Sequence, residues 1–269
     1  MAQPEGYRRT IGPWLAKKEM ICKMGIAPED VVVFDVGAYK GDVTNLYLRT
    51  WPCATYYLFE AVPSALLKLR KRFQNCPRVH VIPMAVSNEV GKAKMYVGGQ
   101  VTEMSSLLRR PTEKEGRRYY WHGKFREIEV TTTTLDAFVK ENHIKQVHLV
   151  KADIQGAEGM MLEGAKYLMR YKPPLIWYME VWFTSLYMGT KLFWQLSAFL
   201  NRYGYSLFDL YTLGRAGVNR QLKYADALFV SRKVRSEVLD KYPKEWTQKN
   251  LQFAMGMLDT KEEPSARSK

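Results

Sequence analysis

Short runs of β-branched and aromatic residues recur along the chain, each followed by a longer stretch whose apolar positions fall three and four apart. The first pattern is that of a strand buried on both faces, the second that of an amphipathic helix. Strands are expected at Val31–Val36, Thr55–Glu60, Val79–Pro83, Val147–Ala152, Leu175–Glu180, Tyr205–Leu210 and Ala225–Val230. Helices are expected between them at 41–50, 63–75, 157–170 and 190–203. Pro63 suits a first helical turn, where a missing N–H costs nothing. Residues 14–25 read as an amphipathic helix closed by Gly25. The alternation predicts an α/β fold, a mostly parallel seven-stranded sheet flanked by helices.

The alternation breaks between 85 and 135. A strand near Ala93–Val97 gives way to a polar, glycine-bearing stretch, and Glu127–Thr133 then resumes a period of two. A long connection without its own periodicity is usually functional, so 98–126 is expected to be a lid-like insertion. The chain thus divides into a helical extension over 1–30, a main domain over 31–235, and a helical or frayed tail over 236–269.

Composition narrows the class. With 46% hydrophobic and 25% charged residues, the 269-residue chain has the balance of a globular protein. No apolar run is long enough for a membrane-spanning helix, and the first thirty residues lack a signal-type apolar core. Cys22, Cys53 and Cys76 are odd in number and without CxxC spacing, which argues against a disulfide framework or a zinc site. A cytoplasmic protein without a required metal is expected.

The net charge of +14 favours an anionic partner. Residues 61–80 hold Lys68, Arg70, Lys71, Arg72 and Arg78 with no acid, the pattern of a solvated basic face. Within 98–127, Tyr119, Tyr120, Trp121 and His122 interleave with arginines and lysines. Rings beside cations suit stacking and anion binding, which makes His122 a candidate substrate contact. His80 and His148 sit in or beside apolar strands and read as core histidines. The aromatic stretch from Trp177 to Trp194 reads mainly as packing, with 182–188 a candidate pocket wall.

The sharpest local signal is Val31-Val-Val-Phe-Asp35-Val-Gly37-Ala38-Tyr39-Lys-Gly41. An apolar strand runs into a glycine turn and then a helix, which lets the backbone approach a ligand. The phosphate-loop pattern fails because no Lys-Ser/Thr follows Gly41, and Tyr39 breaks the dinucleotide fingerprint. An acid two residues before the first glycine suits an amine-bearing ligand such as the methionine moiety of S-adenosylmethionine. Glu60, at the end of the second expected strand, suits a ribose diol. Ala61 and, after the third strand, Ala85 are expected beside it. A second glycine turn follows in Lys151-Ala-Asp153-Ile-Gln155-Gly156-Ala157-Glu158, where a strand ends at an acid and a helix begins.

Together these motifs resemble the FkbM family of S-adenosylmethionine-dependent methyltransferases. Asp35, Val36, Gly37, Ala38 and Gly41 match its D-V-G-A-N-x-G pattern. Lys151, Asp153, Gly156, Ala157, Glu158, Leu162, Gly164 and Ala165 match K-I-D-V-E-G-A-E with L-x-G-A. Ser105-Ser106-Leu107 and Thr134-Leu135-Asp136 look like further family features. Tyr39, Ala152 and Gln155 stand where the family usually has Asn, Ile and Glu.

The resemblance implies a Rossmann-like class I fold and methyl transfer from S-adenosylmethionine to a hydroxyl of a sugar, glycolipid or secondary metabolite. It implies a cofactor site of Asp35, Gly37, Ala38, Tyr39, Gly41, Glu60, Ala61, Ala85 and Asp153. Ser105, Ser106 and His122 are the candidate substrate residues. An alcohol sheds a proton on methylation, so a base is needed. Asp153 is expected to act as that base or to orient it, with Glu158 and Glu180 as further acids at the same sheet edge, where burial can bring a base near neutrality. A small-molecule or glycan acceptor is the expected partner, and the basic charge favours an anionic one. An RNA methyltransferase and a non-catalytic scaffold of the same fold are the alternatives.

Overall fold

The computed structural model describes residues 12–98, 102–112, 125–216 and 220–240. Its core strand, β1 (Val32–Val36), is apolar but for Asp35 and is packed on both faces. Val33 faces one cluster, with Ala16, Met20, Ile21, Tyr47, Leu58 and Leu69. Phe34 and Val36 face another, with Phe138, Met161, Leu168 and Leu196. A strand buried on both faces has no position left for a solvated side chain.

Around β1 lie β2 (Thr55–Phe59), β3 (Val79–Ile82), β7 (Leu149–Ala152), β8 (Ile176–Trp182), β9 (Tyr205–Ala216) and β10 (Gln221–Ser231). They form one seven-stranded sheet in the order β3-β2-β1-β7-β8-β10-β9. The first five are parallel, and β10 runs antiparallel to both neighbours. Helices α1 (Pro13–Lys23), α2 (Asp42–Leu48) and α3 (Pro63–Phe73) supply residues to the first cluster. The second draws on α4 (Leu135–Glu141), α5 (Glu158–Glu163), α6 (Lys166–Tyr171) and α7 (Phe193–Arg202). The expected Rossmann-like, mostly parallel seven-stranded sheet flanked by helices is the fold that forms.

Three expectations are corrected. The single helix over 157–170 is two, because the chain must let Gly164 pass close to the loop after β4 (Ala85–Val86). A Cβ at Gly164 would lie 2.3 Å from the Ser87 carbonyl oxygen. Asp136 then starts the second helix, its carboxylate accepting the N–H groups of Tyr167 and Leu168 at 2.9 and 2.8 Å. The stretch from 85 to 133 is also less irregular than its pattern suggests. There β5 (Gly91–Gly98) pairs antiparallel with β6 (Phe125–Thr133), which pairs parallel with β4. This small sheet contributes Ala85, Met95, Val97 and Val130 to a third apolar cluster with Ala61, Val62 and Ala65. His80, finally, is no core residue: it lies exposed on the edge strand β3, stacked on Tyr57.

Of the expected lid-like insertion, 102–112 is described, and Tyr96 and Ser106 bridge it to β5. His122 lies outside the described residues, as does most of the expected tail. Among the described residues no helix is long and apolar enough to cross a membrane.

Candidate active site

The strand order reverses direction between β1 and β7, and open parallel sheets bind ligands at such a point, beyond the carboxyl ends of the strands. A cleft opens there. Its empty space, including the part open to solvent, is about 690 Å³. One wall comes from the turn after β1 (Gly37, Tyr39) and from Glu60, Ala61 and Val62 after β2. A second comes from Met84, Ala85, Val86 and Met95, and a third from Ser105, Ser106 and Leu107 of the described insertion. Asp153, Ile154 and Ala157 close it from the turn after β7.

Each turn is held by specific bonds. Gly37 has φ +75°, and a Cβ there would meet the Asp153 carbonyl oxygen at 2.1 Å, so glycine lets the two turns touch. Gly37 and Ala38 donate their N–H groups to the Phe59 carbonyl at 3.0 and 3.1 Å. The Glu60 carboxylate accepts from Tyr39 N at 2.9 Å and from Val62 N at 2.7 Å. Burial raises its pKa, against the lowering effect of those N–H donors. Each oxygen still has a lone pair for a ligand hydroxyl.

Asp35 is placed differently from its sequence reading. It is fully buried and off the cleft, its carboxylate 3.1 Å from Lys151 Nζ and accepting the Thr44 hydroxyl at 2.6 Å. Lys151 also donates to the Gly37 carbonyl at 3.1 Å. The Asp35–Lys151 pair therefore clamps the glycine turn from beneath. Burial alone would lower the Lys151 pKa, but Asp35 and Asp153 outweigh it and the pKa is raised. Gly41 and Ala38 also stay off the lining. Gly41 has φ +77°, and a Cβ there would strike the Phe73 ring at 2.4 Å.

The three acids expected at the catalytic edge separate by environment. Asp153 is exposed and lines the cleft. Glu158 is buried, accepts the Ile154 N–H at 2.9 Å, and burial pushes its pKa up to about 8. Glu180 is 9% exposed, and burial, reinforced by Asp153, Glu158 and Asp226, raises its pKa well above the carboxylate range. Burial thus favours the protonated form of Glu158 and Glu180, whereas Asp153 faces the cleft.

Ser105 and Ser106 both reach the cleft. The buried Ser106 hydroxyl donates to the Gln155 carbonyl at 2.9 Å and accepts from Leu108 N at 3.0 Å. Gln155 and Arg110, given no role by the sequence, complete the edge with Tyr187, which stands behind the lining rather than in it as the expected 182–188 wall. Gln155 bridges Asp153 and Glu180, while Tyr187 and Arg110 stand behind it. Arg110 and Tyr187 lie 77 positions apart, a separation that no local spacing rule spans. His148 is structural, its Nδ1 accepting the Val32 N–H at 3.0 Å. Among the described residues no group of His, Cys, Asp or Glu gathers to hold a metal ion.

A family model described as the methyltransferase FkbM domain matches residues 35–207. The 2-O-methyltransferase NoeI of Sinorhizobium fredii is 27% identical over 167 residues, covering 60% of this chain and 68% of that protein. Among solved structures, a precorrin-6Y C5,15-methyltransferase from Geobacter metallireducens covers 83% of this chain and 92% of its own at 13% identity and TM-score 0.40. An rRNA methylase from Streptococcus thermophilus covers 83% and 99% at 10% identity and TM-score 0.43. Both likenesses are too loose to inform the chemistry of this site.

Proposed function

From the premise that the chain belongs to the FkbM family of S-adenosylmethionine-dependent methyltransferases, we propose that it methylates oxygen, on a hydroxyl of a sugar, glycolipid or secondary metabolite. The observation that carries this reading is Asp153, an exposed carboxylate on the wall of the cleft. A relative named as a 2-O-methyltransferase supports the choice of oxygen.

The lining fits the cofactor. Glu60 would take the ribose hydroxyls, and Phe59, Met84 and Val86 give an apolar slot for the adenine. Gly37, lacking a Cβ, lets the turn after β1 close directly onto the turn after β7 beside the cleft. The bound cofactor supplies an electrophilic methyl group on a sulfonium, already a good leaving group. The chain's own task is then to hold the acceptor oxygen in line and to accept its proton. Asp153 takes that proton as the new C–O bond forms. The Asp35–Lys151 clamp keeps Gly37, and so one wall of the cleft, in register with Asp153. The described insertion keeps Ser105 and Leu107 over the opposite wall.

The test is incubation with methyl-labelled S-adenosylmethionine and a panel of methyl hexopyranosides, oligosaccharides and an RNA oligonucleotide. The expected product is a base-stable methyl ether of a small acceptor. Asp153→Asn should lower turnover by roughly 10²-fold or more, the usual contribution of a general base. Undiminished turnover in that variant, or labelling of the RNA alone, would overturn the reading.

A further inference from the structure

Gln155 sits at the exit of β7 with φ +56°, a backbone angle that few side chains other than Asn and Asp adopt without strain. It is held there although neighbouring Gly156, at φ +92°, also takes up the turn. Its side chain is fully used. Nε2 donates to Asp153 Oδ1 at 3.0 Å and to Glu180 Oε2 at 3.2 Å. Oε1 accepts the Tyr187 hydroxyl at 2.8 Å. That hydroxyl in turn accepts from Arg110 Nη2 at 2.8 Å, and the guanidinium lies between the Tyr187 and Phe125 rings at 4.8 and 5.1 Å.

Every donor in this chain points the same way, from the Arg110 cation toward the two acids. Because Tyr187 donates to Oε1, the amide cannot flip, and its two N–H bonds face the carboxyl groups. We infer that Gln155 is a positioning residue for methyl transfer, its amide pinning one oxygen of Asp153 so that the other faces the acceptor hydroxyl. This rests on Asp153 being the proton acceptor. The amide identity matters because the neighbourhood is already acidic. The Asp153 charge raises the pKa of Glu158 from α5, Glu180 from β8 and Asp226 from β10, and of Lys151 from β7. A glutamate at 155 adds another negative charge and removes both donors.

The test follows the aspartate carboxyl carbons by NMR across pH in protein labelled with ¹³C-aspartate. Asp153→Asn identifies the resonance that belongs to residue 153. Gln155→Asn keeps a side chain at ease at positive φ but too short to reach both acids. It should move the midpoint of that resonance up by about one pH unit, and Gln155→Glu should move it further. Tyr187→Phe, which deletes one hydroxyl and frees the amide to flip, should move it up by less. Calorimetric affinity for S-adenosylmethionine should stay within about threefold in all three, since Gln155 and Tyr187 do not line the cleft. A midpoint unmoved in Gln155→Asn and Tyr187→Phe overturns the inference. If Gln155→Asn loses cofactor binding, Tyr187→Phe alone decides. Undiminished methylation by Asp153→Asn would instead defeat the assignment of the base, an outcome separable from the NMR result.

Discussion

Two glycines with nearly the same backbone angle separate conformational strain from close approach. Gly25, at φ +70°, has nothing within 4 Å of its absent Cβ, whereas Gly37, at φ +75°, has the Asp153 carbonyl oxygen at 2.1 Å. Gly25→Ala should cost only the left-handed penalty, about 1 kcal/mol. Gly37→Ala carries that penalty and must also part the two turns, because a Cβ contact below 3.0 Å is not tolerated. That shift strains three bonds: Gly37 N to Phe59 O (3.0 Å), Lys151 Nζ to Gly37 O (3.1 Å) and Asp153 N to Val36 O (3.0 Å). At about 1 kcal/mol each the total reaches about 4 kcal/mol. In a thermal melt this corresponds to a fall of about 10 °C for Gly37→Ala against about 3 °C for Gly25→Ala. Equal losses in the two variants, or a Gly37→Ala protein that binds S-adenosylmethionine normally, would refute the contact-based account.

Asp136→Ala should lower stability by about 1–2 kcal/mol in denaturant unfolding, since it uncaps α6 and leaves two N–H groups without their acceptor. Glu60→Gln should weaken calorimetric S-adenosylmethionine affinity by about tenfold or more, because an amide cannot accept from Tyr39 and Val62 on both its atoms. Stability should also depend on pH in a signed way. The carboxyls of Glu158 and Glu180 ionise first in the unfolded chain, so stability should fall as pH rises from about 4.5, toward about 8 for Glu158 and toward about 10 for Glu180. Lys17, buried over the Tyr178 ring with its pKa lowered to about 7, acts in the opposite sense between about 7 and 10.5. Melts should therefore show the steeper decline between pH 5 and 7, and Glu158→Gln should flatten it; an unchanged slope would count against a buried neutral Glu158.

The sheet was legible because β1, β2, β7 and β8 are buried on both faces, which leaves mostly apolar runs, and because helical periods separate them. The small sheet was half legible: its two longer strands carry a period of two, but the parallel pairing of Ala85–Val86 with Thr132–Thr133 depends on a long-range contact. At the site, Gly37, Glu60 and Asp153 reach the cleft because strand ends and glycine turns mark themselves in sequence. The buried placement of Asp35, off the cleft, was not legible because a strand-end acid points outward or inward according to its neighbours. Its neighbour here is Lys151, level with it across the β1–β7 pairing, over a hundred residues away in the chain. That burial raises the Glu180 pKa was legible from its strand-end position, but its reinforcement by Asp153, Glu158 and Asp226 depends on contacts the sequence does not show.

The most direct test of the cofactor cleft is a calorimetric titration of the full chain with S-adenosylmethionine, beside a Gly37→Arg variant that places a long side chain between the two turns. One-to-one binding in the micromolar range, abolished by Gly37→Arg in protein that still melts cooperatively, is the predicted result. No heat at millimolar cofactor from folded wild-type protein, or equal binding by the variant, would contradict it.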